Sequence, residues 1–166
     1  MLDALGDIGD FVGGIAVLAT LIYLAVQVRQ HTAAIHTASR QGLTAGYREH
    51  NQKHLDPKVS EAFAVGLRGY PNMPDSERRL FARTVNDHAL FLQSAFALYE
   101  SGALGAENFA PYLNWFSCQV ATKGGGAWWE ETKSFYNLPL VEAVDARLAA
   151  GDLPNALETG LCALDE

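Results

Sequence analysis

The first apolar stretch of the chain has no periodicity at all. Phe11 to Val28 reads FVGGIAVLATLIYLAVQV, in which Thr20 and Gln27 are the only polar residues and none is charged. A helix rises about 1.5 Å per residue, so roughly 20 such residues cross a hydrocarbon core. Ile8 and Gly9 bring the segment to that length, with Asp10 near the interface. The pattern predicts a transmembrane helix over a buried core helix. A cleavable signal peptide needs a basic region before its apolar stretch. Here Asp3, Asp7 and Asp10 precede it and the first basic residue is Arg29, so a retained anchor is expected.

Beyond the span no helix stop occurs before Asp56-Pro57. One helix is therefore expected from about Ile8 to Leu55, with Gly42 and Gly46 as its weak points. Ala34, Ala38, Gly42 and Gly46 recur every four residues and share one face. Small side chains at that spacing let a second helix approach closely, either within the chain or between chains. Gly9 and Gly13 repeat the spacing in the span.

Asp56 reads as an N-cap before Pro57, opening a short helix over 58–68. Gly69-Tyr70-Pro71-Asn72 is a turn cluster. The strongest helical pattern follows over 75–100, with Phe81, Val85, His88, Leu92, Ala95 and Tyr99 on one stripe. Its second half is apolar on nearly every face, which suits the centre of a bundle, and Gly102 suits its end. A fourth helix is expected over 106–122, broken by Lys123-Gly124-Gly125-Gly126. A fifth follows over 127–135, and a sixth runs from Asn137-Leu138-Pro139 to Ala150-Gly151. No segment alternates with a two-residue period. The fold class is all-α: an N-terminal transmembrane helix continuing into a long juxtamembrane helix, packed with a small cytoplasmic helical bundle. The parts expected are a stub and anchor at 1–28, a bundle at 29–150 and a loosely attached tail at 151–166.

Charge refines the location. The 166 residues carry a net charge of −7, which excludes the basic footprint of a nucleic-acid binder. The balance is uneven: residues 29–58 hold five Lys/Arg against two Asp/Glu, whereas residues 59–166 hold seven against fourteen. Arg29, Arg40, Arg48 and Lys53 follow the span and no basic residue precedes it. By the positive-inside rule the N-terminus lies outside and the C-terminal domain lies in the cytoplasm. Cys118 and Cys162 fit a reducing compartment as free thiols.

At this point the chain resembles a family of uncharacterised bacterial proteins that are single-span, membrane-anchored and all-helical. The residues that carry the likeness are Ile8-Gly9-Asp10-Phe11-Val12-Gly13 and Leu21 to Gln30, then Gly126-Ala127-Trp128-Trp129 and Phe135. The resemblance implies a bacterial inner-membrane location and a helical domain. It brings no activity and no catalytic residues.

Candidate chemistry is sparse. His50 and His54 are four apart on a helix and could hold a transition metal with a third ligand, although the surrounding Arg48, Asn51, Gln52 and Lys53 read as a solvated face. His88 sits on the apolar stripe, where it is either a core histidine or a general base. Gly124-Gly125-Gly126 lacks the following Lys-Ser/Thr of a phosphate loop and reads as a flexible turn. The spacing of Cys118 and Cys162 matches no redox or zinc motif. Eight of the seventeen aromatic residues fall within 109–136. Trp128 and Trp129 are adjacent on a helix, so either one of them faces a second surface (a partner, a groove or the membrane interface) or both are buried between two other helices. The sequence thus favours protein–protein interaction, by self-assembly or as an accessory subunit of a larger membrane complex, with the bilayer as partner and no cofactor. The alternative is an enzyme or small-ligand sensor whose pocket is lined by His88, Trp115, Trp128 and Trp129.

Overall fold

The computed structural model describes residues 2–53 and 55–157, with side chains described for 13–49, 51–53 and 55–157. The elements are α1 (Leu2–Lys53), α2 (Pro57–Gly69), α3 (Asp75–Glu100), α4 (Ala106–Val120), α5 (Lys123–Thr132) and α6 (Leu138–Ala149). Single 3-10 turns at Tyr70–Asn72 and Lys133–Phe135 join α2 to α3 and α5 to α6. No strand occurs among the described residues. The starts of three helices follow from local chemistry. The Asp56 carboxylate accepts from the Lys58 amide at 2.9 Å, with Pro57 at the first helical position. Thr122 Oγ1 accepts from the Gly125 amide at 3.1 Å, and Asn137 Oδ1 from the Leu140 amide at 3.0 Å. Each satisfies one donor that the first turn leaves unpaired. Gly102 and Gly151, just past α3 and α6, hold φ of 75° and 71°, where a side chain would be strained.

The chain divides into two compact units, Met1–Ser39 and Arg40–Glu166. The sequence boundary at Val28 marks the end of the apolar run; the structural division falls eleven residues later, within α1. In the first unit α1 is long and apolar enough to cross a membrane, by length and composition. Its large apolar side chains from Ile15 to Val28 are all exposed, at 48–64%.

In the second unit α3 packs against α2 and α4, α5 against α2 and α4, and α6 against α4. The core comes from Phe63 and Leu67 of α2, Phe81, Val85, Leu92 and Phe96 of α3, Phe109 and Phe116 of α4, and Leu140 and Val144 of α6. Leu43 of α1 joins it. The α3 stripe is buried from Phe81 to Ala95; its last member, Tyr99, is exposed and stacks on Phe109 with ring centroids 4.9 Å apart.

Two expectations change here. Gly124-Gly125-Gly126 is the first turn of α5 and not a loop before it. A Cβ on Gly124 would stand 1.7 Å from the Gly66 carbonyl oxygen, and one on Gly125 would stand 2.0 Å from that of Gln119. These glycines let the α5 backbone lie against α2 and the end of α4. The tail is also attached in part. Arg147 pairs with Asp152, and Ala156 is buried.

Candidate functional site

The polar groups buried in this bundle converge where α2, α3 and α4 meet. His88 projects from the inner face of α3 and is 2% exposed. Its Nδ1 donates to Gln119 Oε1 at 2.8 Å, and the Gln119 amide donates to the Trp115 carbonyl at 3.3 Å. With the amide oriented that way Oε1 can only accept, so the proton sits on Nδ1. The imidazole lies between Trp115 (centroids 4.6 Å) and Phe63 (5.5 Å). Gln119 is held in turn through its backbone, whose carbonyl accepts from Thr122 Oγ1 at 2.7 Å. The cap of α5 and the partner of His88 are therefore one hydrogen-bonded chain. Nothing in the sequence pattern singles out Gln119 beyond its being a polar residue between Cys118 and Val120 in an apolar run.

A cavity of about 190 Å³ opens beside His88, lined by Lys53, Val59, Leu80, Arg83, Thr84 and Asp87. Lys53 Nζ donates to Asp87 Oδ2 at 2.9 Å, and that bond raises the Lys53 pKa above its ordinary value. Asp87 turns to Lys53, so the carboxylate adjacent to His88 in sequence serves an ion pair at the rim.

The tryptophans separate into two groups. Trp115 joins His88, Phe91, Tyr47 and Tyr112. Trp128 and Trp129 form a second cluster with Phe116 and Tyr136. They are 2% and 1% exposed, so neither faces a second surface. The reason is that α5 is contacted by α2, α4 and both 3-10 turns, and adjacent side chains find different buried neighbours. Trp129 Nε1 donates to Asp145 Oδ1 at 2.9 Å, which satisfies the buried indole. Tyr136 donates to Asn86 Oδ1 at 2.8 Å, and burial pushes its pKa to about 12. Of the four residues expected at one pocket, His88 and Trp115 are in ring contact, but His88 lines the 190 Å³ cavity and Trp115 does not.

The small-residue face divides as well. Ala34 and Ala38 are exposed, and a Cβ on Gly42 would meet nothing within 4 Å. A Cβ on Gly46 would stand 3.4 Å from the Phe91 ring, so this glycine faces the bundle. The expected metal pair cannot be placed: the His50 side chain and the whole of His54 lie outside the described residues, among which no metal-ligating cluster occurs. Cys162 also lies outside them. Cys118 is a buried free thiol whose pKa burial raises, the opposite of what a nucleophile needs.

Comparison with family models, with curated proteins and with solved structures finds no match to this chain.

Proposed function

We propose that this chain is a membrane-anchored helical protein that acts by protein–protein contact, through self-assembly or as an accessory subunit of a larger membrane complex. The observation that carries the reading is the exposure of every large apolar side chain of α1 from Ile15 to Val28. An apolar stretch of that length in water is costly, and lipid or a second helix removes the cost. The open face at Ala34, Ala38 and Gly42 supports helix–helix approach. Arg29, Arg40, Arg48 and Lys53 support an orientation with the N-terminus outside and the bundle in the cytoplasm of a bacterial inner membrane.

Native mass spectrometry of the full-length protein, extracted in mild detergent, tests the reading. A defined oligomer or a co-purifying subunit is expected. Gly42→Leu is the discriminating variant, because a Cβ on Gly42 would meet nothing within 4 Å. It should dissociate the complex and leave the far-ultraviolet circular dichroism spectrum unchanged. Gly46→Leu does not discriminate, since it would drive a side chain into Phe91. A complex that survives Gly42→Leu intact removes the small-residue face from the argument.

A second reading, a small-ligand sensor or enzyme, is favoured by one observation: the cavity beside His88 has a polar rim of Lys53, Arg83, Thr84 and Asp87. A retained small molecule in the same spectra, lost in His88→Asn, would move the reading there.

A further inference from the structure

A separate concavity of about 390 Å³ lies between α1 and α4 in the second unit, lined by Tyr47, Glu107, Asn108, Pro111, Tyr112 and Trp115. Its walls are three half-buried rings. Tyr47 meets Tyr112 at 65° with centroids 6.4 Å apart, and meets Trp115 at 76° with centroids 5.8 Å apart. Two ring faces at such an angle and separation can both lie about 4–5 Å from one point between them, inside the range of the cation–π attraction. Phe91 packs behind all three, with centroids 6.1, 5.4 and 6.4 Å from Tyr47, Tyr112 and Trp115, so the walls are braced before anything binds.

The charge at the rim has one sign. Among the described residues no Lys or Arg lines the concavity. Glu107 supplies a carboxylate whose Oε1 accepts from the neutral Asn108 amide at 2.8 Å, and it makes no ion pair among the described residues. Electron-rich faces and one unneutralised carboxylate suit a cation with an apolar skin. A primary ammonium would demand more acceptors than the rings provide, and a neutral apolar molecule would make no use of Glu107.

We infer that Tyr47, Tyr112 and Trp115, with Glu107 at the rim, form a binding site for a quaternary ammonium group of the choline type. This goes beyond the assembly reading and does not depend on it. The group could come from a phosphatidylcholine headgroup or from a free methylated ammonium solute.

The test uses the full-length protein in maltoside micelles, which contain no choline. Choline is titrated by isothermal calorimetry and by tryptophan fluorescence, against its uncharged tert-butyl analogue of the same shape. Saturable binding is expected, with the analogue about tenfold weaker or more. Glu107→Gln, an exposed substitution that leaves the core untouched, should weaken choline several-fold and leave the analogue unaffected. Tyr112→Leu should abolish saturation. Equal binding of choline and its analogue overturns the inference, as does absence of saturation or indifference to both substitutions. Once choline binds, the titration is repeated in phosphatidylcholine and in phosphatidylglycerol nanodiscs. A curve displaced to higher choline only in phosphatidylcholine assigns the lipid headgroup; identical curves assign the free solute.

Discussion

Ser117 is fully buried on α4, and its hydroxyl has no hydrogen-bond partner among the described residues. A buried hydroxyl without a partner gives up its water and gains nothing in exchange. Ser117→Ala should therefore stabilise the fold by about 1 kcal/mol, read as a rise in the urea midpoint at constant slope. A loss of stability would mean that the oxygen fills space better than a void does. Tyr136 gives a second expectation at this scale. An unfolded tyrosine ionises near 10, whereas burial holds this one at about 12. Between those values the unfolded chain loses the proton first, so it binds fewer protons than the folded chain and stability falls as pH rises. The contribution is complete below the lower value and gone above the upper one. Tyr70, raised chiefly by burial and then by its bond to Glu131, acts with the same sign. Urea midpoints measured from about pH 9 to about pH 12 should fall, and Tyr136→Phe should make that fall shallower. A slope unchanged in Tyr136→Phe would locate the effect elsewhere. Individual residues are the least legible in the sequence. The burial of His88 can be read from its stripe, but its partner Gln119 lies 31 positions away, and only the packing of α3 on α4 pairs them.

Long helices are legible because their signals are repeated many times. Seven turns of α3 put Phe81, Val85, His88, Leu92 and Ala95 on one side, and Asp56-Pro57 marks the start of α2 with a cap that the structure uses. The first turn of the ten-residue α5 is not legible in this way, since three glycines each cost about 1 kcal/mol of helix propensity relative to alanine and so resemble a break. Tertiary contact outweighs that cost. A Cβ on Gly124 would meet the Gly66 carbonyl oxygen of α2, whereas one on Gly66 would meet the Phe81 ring of α3, and no local pattern announces either close approach. Thr122, two residues before the glycine run, is the one local sign of a cap. The same short length explains the tryptophans: a helix of under three turns offers too few repeats to show which side is covered, and α5 is covered on several. Gly124→Ala tests the crossing. Adding a methyl 1.7 Å from the Gly66 carbonyl oxygen requires the helices to separate, and overpacking of that kind costs about 1–3 kcal/mol or more. Gly42→Ala, in open space on α1, should be neutral or slightly stabilising in the same thermal melts. Equal responses of the two variants would refute the close approach.

At the scale of the whole molecule the two units differ in whether their apolar side chains are covered within the chain. Residues 40–157 have a core of their own, built from α2, α3, α4, α5 and α6 with Leu43. Residues 13–28 have none, and their apolar side chains are left for something outside the described chain to cover. Average composition hides this contrast, because a 49% hydrophobic content is ordinary for a domain with a large core. The order of residues reveals it, since eighteen positions without a charge have no use for a helical period. Deleting residues 1–39 should therefore separate location from folding. The shortened chain is expected in the soluble fraction with a cooperative melt, while the full chain stays with membranes after carbonate extraction. If the full chain is released by carbonate, the apolar helix is covered by protein, and the partner that covers it becomes the object to isolate. If the shortened chain also sediments with membranes, the basic stretch that retains Arg40, Arg48, Lys53 and Lys58 holds it there by charge. That attachment would weaken with salt, as contacts between lysine or arginine and anionic headgroups do.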